Sequence, residues 1–139
     1  MAKAVTPEEA QALIAEGHTY VDVRSEPEFE AGHPAGALNV PLSNMGPGGL
    51  EPNADFTSVM ERAFPKDAKL VIGCKTGGRS RRAVAMLEAA GYTALTDMVA
   101  GFAGARDAFG RPNPGWSQKG LPVETGTPPG TSYADVKKR

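Results

Sequence analysis

Leu70-Val71-Ile72 is an uninterrupted apolar run that leads straight into Gly73 and Cys74-Lys75-Thr76-Gly77-Gly78-Arg79-Ser80, and a helical pattern follows from Arg81 to Ala90. A short apolar run bounded by loop residues reads as a compact buried strand. A buried strand, a tight loop and a helix in succession point to an α/β fold with a mainly parallel sheet. Val84, Leu87 and Ala90 form the helix's inward face, and Gly91 terminates it.

Helical and strand signals alternate along the rest of the chain in the same way. Thr6-Pro7-Glu8-Glu9 is a helix opening, with Thr6 as cap, Pro7 in the first turn and Glu9 completing a capping box; Ala10, Leu13 and Ile14 are its apolar face. Tyr20–Val23 and Ala37–Val40 are short strands, and Glu26–Ala31 a helical turn between them. The segment Ser43–Asn53 is rich in Gly, Pro and Asn and is expected to be a loop. Asp55–Phe64 is a helix with Phe56, Val59, Met60 and Ala63 at helical spacing, Ala94–Val99 a last strand, and Phe102–Phe109 a short helix. These elements place one domain in residues 1–124, followed by a Pro/Gly-rich tail, 125–139, expected to be loosely ordered or draped over the surface.

Composition excludes several classes. The net charge is -1, so no overall basic field favours nucleic acid or a membrane surface. No stretch approaches the roughly 18 apolar residues of a membrane span, and the N-terminus lacks the apolar core of a secretory signal, which makes a cytoplasmic location the expectation. A single cysteine excludes an internal disulfide and a multi-cysteine metal site, and suits a reducing compartment.

That cysteine is the candidate for chemistry. A lone Cys is most often a small buried hydrophobe. Here it ends a strand, where open α/β sheets bind ligands, and Lys75, Gly77 and Arg79 are poor company for a core position. Backbone N–H groups of a Gly-containing loop converge into an anion nest, and the following helix adds the positive end of its dipole. With Lys75, Arg79, Arg81 and Arg82 close by, the setting favours a thiolate nucleophile inside an anion receptor.

Cys74-Lys75-Thr76-Gly77-Gly78-Arg79 resembles the CxxGxR active-site loop of the rhodanese family. The upstream run VDVRSEPEFEAGHPAGALNVP, residues 21–41, resembles the family's other signature, and Gly91-Tyr92 with Trp116, Gly120, Leu121 and Pro122 resembles its closing segments. The insert SNMGPGGLEPNADF is similar to that of plant and bacterial single-domain thiosulfate sulfurtransferases. The resemblance implies a three-layer α/β fold, a five-stranded, mainly parallel sheet flanked by helices. It also implies ping-pong transfer of a sulfane sulfur from thiosulfate through a Cys74 persulfide to a thiol such as glutathione, to cyanide, or to a reduced protein such as thioredoxin, with no metal or organic cofactor. Lys75, Thr76, Gly77, Gly78 and Arg79 would bind the substrate, with Asp22, Arg24 and Ser80 supporting them.

The chain departs from the family pattern at Phe102, where relatives often carry a second Gly, and in the extra stretch 107–115, a candidate pocket rim or acceptor-docking element. Asp22 and Arg24 read best as a structural charged pair at a strand end, with Arg24 also a plausible partner of Glu28 or Glu30. His33, in a turn, is expected to orient backbone rather than act as a base; His18 is expected to face solvent, and Met45 and Trp116 to pack in the core or at the rim. Two other classes compete with sulfur transfer from thiosulfate. Phosphatases and arsenate reductases need five residues between Cys and Arg, whereas four separate Cys74 from Arg79. A persulfide relay or binding module would hand its sulfur only to a specific protein.

Overall fold

The computed structural model describes residues 2–139. The central sheet has five strands: β1 (Lys3–Val5), β2 (Thr19–Asp22), β3 (Leu38–Asn39), β4 (Leu70–Gly73) and β5 (Leu95–Met98). Their order across the sheet is β1-β5-β4-β2-β3, and every neighbouring pair is parallel. This is the expected three-layer α/β architecture. The Leu70-Val71-Ile72 run becomes the middle strand, buried at every position. Its residues alternate between the two faces: Leu70 and Ile72 join one core cluster, Val71 the other.

Helices α1 (Pro7–Ala15) and α2 (Glu26–Ala31) contribute Ala10 and Phe29 to the cluster that holds Val71, Tyr20 and Trp116. Both open with capping boxes, Thr6 with Glu9 and Ser25 with Glu28. Helices α3 (Phe56–Ala63) and α4 (Gly78–Ala89) cover the opposite face through Phe56, Val59, Met60, Ala83, Val84 and Leu87. Among the described residues no helix is long and apolar enough to cross a membrane.

Three local expectations are corrected. Ser43–Asn53 is not merely a loop: Ser43–Gly46 and Gly49–Pro52 pair as an antiparallel hairpin turning at Pro47-Gly48. The many Gly, Pro and Asn residues that favour the turn hide its arms. Phe102–Phe109 is not helical. Gly104, inside the segment, takes a left-handed φ of 96°, which a right-handed helix does not accommodate, while the Phe102 and Ala103 N–H groups tie the start of the segment to the Cys74 and Lys75 carbonyls. In its place Ala105–Arg106 pairs with Pro112–Asn113 in a second hairpin.

The third correction concerns the tail. Helix α5 (Tyr133–Val136), capped by Ser132, inserts Tyr133 and Val136 into the core beside α3 and α4. Two apolar residues at i, i+3 are enough to give one turn a buried side. Asn53 Nδ2 donates to the Tyr133 hydroxyl at 3.0 Å, and Asn39 N donates to Thr131 O at 2.9 Å, so the end of the chain is stitched to both the hairpin region and the sheet edge.

Tyr133→Ala is therefore expected to cost about 3 kcal/mol, as for truncation of a buried aromatic. Urea denaturation checks this; a loss within about 0.5 kcal/mol would be the result for a surface residue.

Candidate active site

β4 delivers Cys74 to the C-terminal edge of the sheet, and α4 begins four residues later at Gly78. The thiol is deep, with only 1% of the residue exposed, while Lys75, Thr76 and Gly78 are exposed around it. Gly77 N donates to Cys74 Sγ at 3.1 Å, the one directed contact to the sulfur among the described residues. Gly77 adopts φ 102°, a left-handed turn that aims this N–H back at the sulfur and that a side chain would strain. The first N–H groups of α4 have no acceptor within the helix, so the loop meets the positive end of the helix dipole.

The loop is held from outside by the segment after β5. Phe102 N donates to Cys74 O at 2.7 Å and Ala103 N to Lys75 O at 2.9 Å. From below, Ser80 Oγ lies 3.1 Å from Gly77 O and 2.8 Å from Asp97 Oδ1. Burial pushes the Asp97 carboxyl up, against the opposing effect of Ser80.

Asp22 and Arg24 form the expected pair at the end of β2. Arg24 Nη2 donates to Asp22 Oδ2 at 2.7 Å, its Nε donates to both carboxylate oxygens, and Nη2 also reaches Gly32 O at 2.6 Å. The guanidinium lies 4.5 Å from the centroid of the Phe102 ring, beside the strap on Cys74. Burial alone would lower the Arg24 pKa, but the hydrogen bonds and charge of Asp22 raise it. Arg24 does not pair with Glu28 or Glu30, because the Asp22 carboxylate two residues back already meets both its side chain and its N–H.

Glu28 instead holds Arg79. Arg79 Nη1 and Nη2 donate to the two Glu28 oxygens at 2.6 and 2.9 Å, across 51 residues. Glu28 also accepts from Ser25 N and Oγ in the α2 capping box. The Arg79 bonds, followed by those of Ser25, hold the Glu28 carboxyl down at about 2. Cys74, Lys75, Thr76, Gly77, Gly78, Arg79 and Ser80 are thus brought together in one loop and helix start, with Asp22 and Arg24 behind it. Asp97 and the Phe102-Ala103 strap are site components that reading along the chain missed, and Glu28 was paired there with Arg24 instead of Arg79. The one available signal for Asp97 was a carboxylate inside the short strand Leu95–Met98.

The remaining candidates lie elsewhere. His33 is fully buried, stacked on Phe29 with 3.7 Å between centroids, and its Nδ1 is 2.7 Å from Phe29 O, which fits a backbone-orienting role. His18 is half-buried rather than solvent-facing. Trp116 is buried and donates to Pro122 O at 2.8 Å; Met45 is exposed on the first hairpin.

The fold and the site define a three-layer α/β domain whose central parallel strand ends in a single cysteine, with the Gly77 N–H directed at its sulfur just before a helix start. The rhodanese-like domain family matches residues 6–108, and the chain belongs to that family. It is 36% identical over 115 residues to the chloroplastic thiosulfate sulfurtransferase 16 of Arabidopsis thaliana, covering 83% of this chain and 87% of that protein. It is 35% identical over 100 residues to the thiosulfate sulfurtransferase GlpE of Pseudomonas fluorescens, covering 72% and 81%. Some other plant relatives are longer, and the chain spans 57% of their length. Among solved structures, Rv0390 from M. tuberculosis superposes with a TM-score of 0.73 at 27% identity, covering 90% of this chain and 98% of that one. At the level of the family these relatives support sulfurtransferase activity.

The Glu28–Arg79 clamp has a defined pH signature. Its carboxyl falls from an ordinary 4.5 to about 2 on folding, so its stabilisation is full above pH 4.5 and is lost as pH falls through about 2. The difference in thermal midpoint between wild type and Glu28→Gln is expected to be constant above pH 5 and to shrink below about pH 4. A difference independent of pH down to about 2 would show that the charge of Glu28 contributes nothing.

Proposed function

We propose that this chain is a thiosulfate sulfurtransferase that carries the transferred sulfur as a persulfide on Cys74. The observation that carries the reading is the Gly77 N–H directed at Cys74 Sγ at the mouth of α4. A donor so placed stabilises negative charge on Sγ, both in the attacking thiolate and as the charge returns to Sγ when the persulfide discharges.

In the first half-reaction the Cys74 thiolate attacks the outer sulfur of thiosulfate. The S–S bond of the donor breaks, sulfite leaves with the bonding pair, and Cys74–S–S⁻ remains. In the second, an acceptor thiolate or cyanide attacks the terminal sulfur, the Cys74–sulfur bond breaks, and its electron pair returns to Sγ. The depth of the thiol favours a small donor. The exposed Lys75 and the loop N–H groups suit a dianion, while Arg79, engaged by Glu28, fixes the helix start that supplies them. Neither half-reaction calls for a metal or an organic cofactor.

The test is intact mass before and after thiosulfate, with Cys74→Ser as control. Wild type is expected to gain one sulfur atom that cyanide or a thiol removes, and the variant none. A folded wild type that gains no sulfur would overturn the reading. A persulfide that discharges only onto a protein acceptor would replace it with a sulfur relay.

A further inference from the structure

A cavity of about 540 Å³ opens beside the Cys74 loop, between Thr76 on one side and the 105–113 hairpin on the other. Gly104, Arg106, Asn113, Pro114 and Gln118 also line it. The volume lies within the roughly 300–1,000 Å³ of small-molecule sites. It adjoins the loop that carries the sulfur: Thr76 is two residues from Cys74, and the strap on Cys74 and Lys75 runs on into the cavity wall through Ala103 and Gly104.

The walls are firm. Gly104, at φ 96°, sits so close to the Gln118 side chain and to Gly115 that a Cβ there would overlap them. Gln118 Oε1 also accepts from Gly115 N at 2.8 Å. The outer wall, from residue 109 onward, lies beyond the stretch that the family model matches.

Charge selects the occupant. Arg106 is the one charged residue lining the cavity among the described residues. One of its N–H groups donates to Gly110 O at 2.8 Å, and among the described residues no carboxylate pairs with the guanidinium. The neighbouring Asp107 is occupied within the hairpin by Phe109 N, Arg111 N and Arg111 Nε. Lys75, next to the lining residue Thr76, is exposed. Guanidinium groups pair with carboxylates in a bidentate, directional way.

We propose that this cavity is the acceptor subsite, that it takes a low-molecular-weight thiol bearing carboxylates, and that Arg106 is the residue that selects it. The inference rests on the persulfide reading of Cys74. The bound thiol, as thiolate, attacks the terminal sulfur of the Cys74 persulfide; the new S–S bond forms on the acceptor, and the electron pair of the broken bond returns to Cys74. The product leaves as a carboxylate-bearing persulfide, and no oxidant or reductant is consumed.

The experiment separates the half-reactions. Wild type, Arg106→Ala, Arg106→Lys and Arg106→Glu are loaded with thiosulfate, freed of donor, and discharged with glutathione or with 2-mercaptoethanol, the persulfide being followed by rapid-quench intact mass. In Arg106→Ala the glutathione-to-2-mercaptoethanol rate ratio is expected to fall about tenfold, the equivalent of about 1.4 kcal/mol. Arg106→Lys, which keeps the charge but not the bidentate fork, is expected to keep only part of the ratio, and Arg106→Glu to lose more than Ala. An unchanged ratio in Arg106→Ala and Arg106→Glu would overturn the subsite. If wild type never loads sulfur, the activity itself fails, which is seen before any acceptor is added.

Discussion

Two backbone hydrogen bonds hold the Cys74 loop to the segment that follows β5: Phe102 N to Cys74 O and Ala103 N to Lys75 O. They face away from the sulfur, yet they set where it sits. With both carbonyls engaged on the outer side, the peptide units after Cys74 turn their N–H edges inward, and Gly77 completes the turn onto Sγ. The same two bonds anchor the chain at 102–103, and Gly104, at φ 96°, then turns it into the 105–113 hairpin. The Cys74 loop and its neighbouring cavity are thus joined through one pair of contacts and one left-handed glycine.

Charge in the site is arranged in closed pairs around an open centre. Arg24 is engaged by Asp22 and Arg79 by Glu28, each guanidinium in bidentate contact with a carboxylate. Breaking such a partly buried pair by removing one member leaves an uncompensated charge, so these groups stiffen the site more than they attract ligand. Lys75 and Arg106 are exposed and, among the described residues, form no ion pair with a carboxylate, so they can meet an anion from solution. The loop amides do the local work, since a fixed N–H beside a buried sulfur acts without solvent to screen it.

The strand, loop and helix around Cys74 were legible because their residues are contiguous and each position has a local reason: an apolar run, two glycines, a helical period. The Asp22–Arg24 pair was legible for the same reason. Glu28 was read with the wrong arginine, since proximity along the chain favoured Arg24 while the fold brings up Arg79 from 51 residues away. Asp97 and the Phe102-Ala103 strap were invisible, as their partners lie in other elements. The hairpins were missed because glycine and proline announce turns but say little about what the flanking residues pair with. The tail's polar composition concealed two side chains, Tyr133 and Val136, that belong to the core.

The docking of that tail bears on how molecules of this protein meet one another. The outermost strand, Leu38–Asn39, is two residues long, and Thr131 O takes the Asn39 N–H on its open side. At the other margin Lys3–Val5 is also brief and carries a lysine. Short, charged or covered margins are what keep sheets from joining edge to edge. The last residues of the chain are therefore a guard against self-association as much as a part of the core, and a molecule that lost them would offer a bare strand to its neighbours.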